Sequence, residues 1–338
     1  MCRFRYFSLF IIALIVFSIF AIPAHFQVPK TKPIGPLLDS NVHKGYQKIV
    51  NQEKPKIVLL GDSYLDTGID EAYLNELTNE KIVKIAKHGS ASAMWYLLIK
   101  NNIVTARNKP AYIVVFFRGT MLTTPEFRTT GTYLTNLDEF ASPDDRLFVQ
   151  LAYVSQMSKF EQFLDQYIPL YAYRQLIRTS IDRMLKYPLP ARALDKDTEE
   201  VNLALNNAFG DPEIAQLNAI INAAEMYLYK PSKLDFESQL PRSFLPEIVD
   251  LCRNNDIQLV LVREKVIEFS TEAQQPKGLT DYTRSLEAYL NEKHVIFFDL
   301  AFDPRIKKDY FYDSLHMTEE GKMFFTEIFA QELSSGLP

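Results

Sequence analysis

Five short apolar runs constrain this chain more than any other feature: residues 56–60 (KIVLL), 81–86 (KIVKIA), 112–117 (YIVVFF), 257–262 (IQLVLV) and 295–300 (VIFFDL). They are five or six residues long and mostly rich in Val and Ile, which suits strands buried on both faces. Stretches with helical periodicity, 70–78, 92–106, 245–255 and 282–292, separate most of them. Strands alternating with helices predict an α/β fold, a parallel sheet covered on both faces. With 338 residues there is room for one such domain with an insertion, or for two domains.

The third and fourth runs are too far apart for a simple crossover. Residues 119–135 lack periodicity and are rich in Thr, whereas 142–184 read as long helical stretches crowded with aromatics, among them Phe148, Tyr153, Phe160, Phe163, Tyr167, Tyr171 and Tyr173. Pro188 and Pro190 break that pattern, and 211–229 resume it. A helical insertion over about 135–241 is expected. Its aromatics either pack as core or form a lid or a membrane- or partner-facing surface.

At the other end, Arg3 and Arg5 precede an apolar run, 7–24, whose only polar residues are Ser8 and Ser18. That is enough helix to span a bilayer. The positive flank favours the cytoplasm, so the remainder should face outward. Residues 1–26 are therefore expected to be a single-pass anchor in the cell membrane, with an extracytoplasmic body in the periplasm or at the cell surface. The same pattern also fits a secretory signal cleaved near Ala24, although Ile22-Pro23-Ala24 is a poor small-x-small site. Residues 27–55, with Pro29, Pro33, Pro36 and Pro55, read as a linker, leaving 56–338 for the α/β domain.

The formal net charge is −5 and no long basic block occurs, which argues against a nucleic-acid partner. The five histidines form no HExxH pair and no Cys/His cluster, so no metal site is expected. Cys2 and Cys252 would lie on opposite sides of a bilayer and cannot pair; Cys252, in a helical stretch, reads as a small core residue.

In an open parallel sheet the loops at the carboxyl ends of the strands converge on one edge, where ligands bind. The first strand is followed by Gly61-Asp62-Ser63-Tyr64-Leu65 and the second by Lys87-His88-Gly89-Ser90. Arg118-Gly119-Thr120 follows the third, Arg263-Glu264-Lys265 the fourth, and Tyr312-Asp313-Ser314-Leu315-His316 comes after the fifth. A serine hydroxyl needs a base to take its proton as it attacks, and histidine held by a carboxylate suits. Asp313 and His316, three apart, can meet within one loop. Thr318, ahead of Glu319 and Glu320, is a candidate N-cap that would stiffen it. Asp62 reads as closing the turn behind Ser63, His88 as a polar turn residue, and Trp95 as core. Glu126 and Arg128 read as solvated loop charges unless they touch substrate, and Asp299 and Asp303 as loop caps.

At these residues the chain resembles the SGNH/GDSL hydrolase superfamily. Gly61-Asp62-Ser63-Tyr64-Leu65 matches its GDSxL block, and Asp313-Ser314-Leu315-His316 its C-terminal Asp-x-x-His. The resemblance covers 56–117 and 244–333. It implies a three-layer, flavodoxin-like sheet, with Ser63, Asp313 and His316 as catalytic residues and the Gly89 N–H as an oxyanion donor. The chain departs from the family in the third block: where an asparagine is usual, it reads Phe117-Arg118-Gly119-Thr120. Losing one oxyanion donor can cost about two to three orders of magnitude in rate. Either Arg118 substitutes, its guanidinium aimed at the oxyanion or an anionic substrate group, or the site is weakened.

The chemistry implied is acyl transfer through an acyl-enzyme, with no cofactor. With the anchor, the layout is similar to that of bacterial envelope polysaccharide O-acyl esterases and transferases. It implies an acylated, most simply acetylated, glycan as substrate and polysaccharide-assembly proteins as partners. A membrane-associated lipid esterase and a catalytically inactive SGNH-like scaffold of an envelope complex are the alternatives.

Overall fold

A computed structural model describes residues 2–38, 41–186, 225–269 and 271–337. In chain order, α1 (Cys2–Phe26) and α2 (Gly45–Glu53) precede β1 (Ile57–Gly61), α3 (Ser63–Gly68), α4 (Glu71–Thr78), β2 (Ile82–Ala86), α5 (Ser92–Leu98) and β3 (Tyr112–Phe117). Then come α6 (Thr132–Asp138), α7 (Arg146–Ala152), α8 (Lys159–Tyr167), α9 (Pro169–Ala172) and α10 (Arg174–Lys186). The chain closes with α11 (Leu245–Arg253), β4 (Gln258–Arg263), α12 (Leu279–Glu292), β5 (Ile296–Asp299) and α13 (Glu319–Gly336). These elements fall into two compact units: Leu38–Ala152 with Ile214–Pro338, and Met1–Leu37 with Tyr153–Glu213.

The larger unit is built on a five-stranded parallel sheet in the order β2-β1-β3-β4-β5. This is the flavodoxin-like order, with its switch point between β1 and β3. Each expected strand is present, shifted by a residue at most of its ends. Central strands β1 and β3 are buried at every position, whereas edge strand β5 is only partly covered, which explains the unbroken apolar runs at the centre. Because side chains alternate across a strand, Ile57 and Leu59, Val114 and Phe116, and Val260 and Val262 share one face. They form a core with Phe325, Ile328, Phe329 and Leu333 of α13. On α11's side, Phe244 stacks on Tyr96 of α5 with ring centroids 5.0 Å apart. Expected helix 92–106 is α5 followed by a single π-turn, Ile99–Ile103.

The long helices expected over 142–184 are several shorter ones, α7 in the larger unit and α8, α9 and α10 in the smaller. Ser158 starts α8 with a capping box, its hydroxyl accepting from the Glu161 N–H while the Glu161 carboxylate accepts from the Ser158 N–H. Pro169 opens α9 at its first position, where a missing N–H costs nothing. Lys32 reaches from the chain after α1 to Asp165 (2.5 Å), both side chains buried, and Tyr173 donates to the Pro29 carbonyl (2.8 Å). The helix expected over 211–229 lies outside the described residues up to 224; Met226–Tyr229 is a 3-10 turn. Helix α1 is long and apolar enough to cross a membrane, its window Leu9–Phe26 having a mean hydropathy of 2.5 with 11% buried.

Candidate active site

The turn after β1 is as sharp as the motif requires. A Cβ on Gly61 would lie 2.6 Å from Cβ of Leu65, so only glycine lets α3 start directly at the strand end. Asp62 caps that helix, its carboxylate accepting from the Tyr64 N–H (2.9 Å). Ser63 is the first helical residue, at the carboxyl end of a central strand beside the switch point.

The chain returns to this edge after β5. Between Phe311 and Met317, which form an isolated antiparallel bridge, the Tyr312 N–H donates to the His316 carbonyl (3.0 Å) and tightens the loop. One oxygen of Asp313 accepts from the N–H groups of Leu315 (2.7 Å) and His316 (2.6 Å). The other is 2.6 Å from His316 Nδ1, and His316 Nε2 is 2.8 Å from Ser63 Oγ. With Nδ1–H donating to the carboxylate, Nε2 is left as an acceptor for the serine hydroxyl. Burial opposes ionisation of Asp313, but the His316 ring and the two backbone N–H groups outweigh it and hold its carboxyl below the usual range. Thr318 caps α13 by accepting from the Gly321 N–H (3.1 Å), as expected. The Met317 N–H donates to Thr67 of α3 (3.3 Å), tying the two halves of the site together.

Gly89 follows β2 with φ +70°, a left-handed conformation in which a Cβ would also meet the Tyr133 ring at 2.5 Å. Its loop is fastened to the start of the Ser63 turn. The Lys87 N–H and the Ser90 hydroxyl both donate to the Gly61 carbonyl (3.0 and 2.9 Å), and buried Trp95 donates to Ser90 (3.0 Å). Among the described residues the backbone N–H groups of Ser63 and Gly89 have no acceptor.

Arg118, expected at the oxyanion or on an anionic substrate group, is elsewhere. Its side chain is 1% exposed and its donors are taken by Asp62 (2.8 Å), Glu225 (2.7 and 2.9 Å) and Glu264 (3.3 Å). Three buried carboxylates pull the guanidinium inward, so it braces the turn behind Ser63 rather than facing substrate. Arg128, read as a solvated charge, is instead largely buried and contacts the same Asp62 (3.1 Å) and Glu225 (3.0 Å). Burial opposes ionisation of Asp62, but the two guanidiniums and the Tyr64 N–H bring its carboxyl down to about 2. Glu264 goes the other way. Burial and the Asp62 charge push its carboxyl well above the usual range, against the pull of Arg118. One of its oxygens has no hydrogen-bond partner.

The remaining singled-out residues take plainer places. His88 is exposed and meets Asp66 (2.9 Å), while Glu126 binds Tyr227 (2.6 Å) and Lys233. Asp299 and Asp303 cap their own loops and pair with Arg263 and Arg305. Cys252 is buried in the core, which pushes its thiol up to about 12. Among the described residues no group of three His, Cys, Asp or Glu side chains is arranged to hold a metal ion. Sequence reasoning gave no role to Tyr312, which is 59% exposed and stacks beside His316 (5.8 Å between centroids, 16° between planes). Nor did it give one to Glu225 and Glu264; their only signal was acidic character next to apolar segments.

Solved structures similar to this chain include a GDSL-like lipase from Bacteroides thetaiotaomicron VPI-5482, at 10% identity and TM-score 0.38, covering 87% of this chain and 99% of that one. A catalytic mutant of the acetylxylan esterase Axe2 from Geobacillus stearothermophilus is similar at 11% identity and TM-score 0.38, covering 82% and 94%. A lipase/acylhydrolase from Enterococcus faecalis is similar at 11% identity and TM-score 0.36, covering 83% and 96%. No curated protein matches by sequence. One family model matches residues 200–338, less than half of the chain. Likenesses this distant assign no chemistry, which has to come from the geometry of Asp313, His316 and Ser63.

Proposed function

We propose that this chain is a serine esterase or O-acyltransferase of the SGNH/GDSL type, tethered by α1, that works on short acyl esters of an extracytoplasmic polysaccharide. The observation that carries the reading is the continuous chain from Asp313 through His316 to the Ser63 hydroxyl.

Ser63 Oγ attacks the ester carbonyl as its proton passes to His316 Nε2, and Asp313 stabilises the imidazolium through Nδ1–H. The oxyanion accepts from the free N–H groups of Ser63 and Gly89. The carbonyl–oxygen bond to the alcohol then breaks and His316 returns the proton to that alcohol. Water or a sugar hydroxyl, deprotonated by His316, attacks the acyl carbon and releases Ser63. A small depression lined by Gly89, Ser90, Met94, Arg128 and Tyr133 lies at the Gly89 loop. Exposed Tyr312 beside His316 supplies an aromatic face of the kind on which a sugar ring can rest. The Arg flank of α1 favours the body facing outward.

A fluorophosphonate should label the full chain at Ser63, and acetylated xylan or nitrophenyl acetate should be hydrolysed, with Ser63→Ala losing both. Because Arg118 is turned away from the oxyanion, a quiet polysaccharide-binding protein is the second reading. It predicts glycan retention with neither labelling nor hydrolysis.

A further inference from the structure

Among its described residues the smaller unit leaves several large apolar side chains exposed. On α8, Phe160, Phe163 and Tyr167 lie at spacings of three and four, on one helix face, and are 67%, 51% and 46% exposed. On α10, Leu176 and Ile181 are 41% and 47% exposed. With Leu170 and Ile177, Ile181 also floors an open depression of about 270 Å³ whose rim carries Arg174 and Arg178. An apolar face edged by arginines and by a tyrosine is the composition of a helix lying at a bilayer surface.

The unit's own attachments say where that face stands. Helix α9 packs along α1. In the second half of α1, Ser18 and Pro23 are buried, and Ile15, Ile19, Ile22 and Phe26 on the same side are only partly exposed, while Phe17 and Phe20 remain bare. Lys32 on Asp165 and Tyr173 on the Pro29 carbonyl then fasten α8 and the junction between α9 and α10 to the chain emerging from α1. Lys30, four residues past the apolar window, turns back over the Phe20 ring (4.9 Å). Whatever packs beside residues 15–26 sits at their depth, and residues 15–26 are the outer half of the window Leu9–Phe26.

We propose that α8 and α10 lie in the outer head-group layer of the membrane that α1 crosses, with Phe160, Phe163 and Tyr167 inserted at the acyl boundary. The inference rests on the reading of α1 as a span. The arginines of α10 would lie at the level of the lipid phosphates, so the unit rides in the interface instead of hanging from it on a free linker.

The test uses the full chain, with Cys2→Ser, in nanodiscs of phosphatidylcholine and phosphatidylglycerol. A fluorophore is placed on Phe163→Cys, on Phe160→Cys, or on Phe17→Cys within α1. Lipids spin-labelled near the head group should quench positions 160 and 163 more than lipids labelled near the chain end do, and position 17 should show the reverse. Quenching at 17 with none at 160 and 163 overturns the proposal, leaves α1 as a span, and points to a protein partner on this face. No quenching at any of the three overturns both.

Discussion

Arg118 Nη2 lies 2.8 Å from a carboxylate oxygen of Asp62, the residue directly before the Ser63 nucleophile candidate, and both side chains are 1% exposed. The arginine that occupies the place of an oxyanion donor therefore acts one residue away, on the turn itself. Removing Arg118 leaves Asp62 and Glu225 buried with Arg128 as their remaining arginine partner, a loss of up to about 3–5 kcal/mol, the cost of breaking a buried ion pair outright. Arg118→Gln should lower the unfolding midpoint followed by the fluorescence of Trp95, the sole tryptophan, by that order. An oxyanion donor would behave otherwise: its variant would melt normally and lose rate alone.

The Asp313 carboxylate makes three short contacts, and only one of them is with the imidazole. Asp313→Asn keeps the size but presents an amide to Nδ1, favouring the wrong tautomer at Nε2. A fall in kcat of about 10⁴ is expected, with the melting midpoint changed far less. Its folded pKa is depressed, so the stability it contributes is present above the unfolded value near 3.9 and lost as pH falls through the lower folded value. Asp62, down to about 2, should behave likewise over a wider acid window. Acid titration of the unfolding midpoint, wild type against Asp313→Asn, reads the difference.

Gly89 combines a left-handed backbone with a close neighbour: φ is +70° and a Cβ would sit 2.5 Å from Tyr133. Tyr133 is 36% exposed and can swing aside, so the backbone strain remains, at about 1–3 kcal/mol. Gly89→Ala should re-aim the N–H offered to the oxyanion. We expect kcat to fall by about 10²–10³ with KM nearly unchanged. Gly89→Ala with Tyr133→Ala should recover neither stability nor rate, because removing the ring leaves the left-handed backbone strained.

Much of this site was legible because its signals are local. Gly61, Asp62 and Ser63 are consecutive, Asp313 and His316 share one loop, and the apolar runs place both at the same sheet edge. The buried charge network was not legible. The partners of Arg118 stand 56, 107 and 146 positions away, and no spacing rule pairs a strand-end arginine with acids so distant. Nor does residue type separate Arg128, held between two acids, from a solvated loop charge. The broken helices of the insertion did leave a trace: Ser158 with Glu161 is a capping box, and Pro169 is a start signal.

Glu264 is the group in that network whose charge the structure disfavours. Burial and Asp62 raise its carboxyl well above the usual value, and one oxygen lacks a partner. A raised folded pKa means that its contribution to stability is full below the unfolded value, about 4.3, and is lost as pH rises through the folded one. At neutral pH the wild type therefore carries a cost that an uncharged isostere would not. Glu264→Gln should unfold at an equal or higher temperature than wild type at pH 8, with the advantage shrinking toward pH 4.5. Arg118 would keep Asp62 and Glu225 as partners, and Ser63 labelling should persist. A variant that melts well below wild type at pH 8 would mean that Glu264 is ionised in the fold and that its charge holds Arg118 in place.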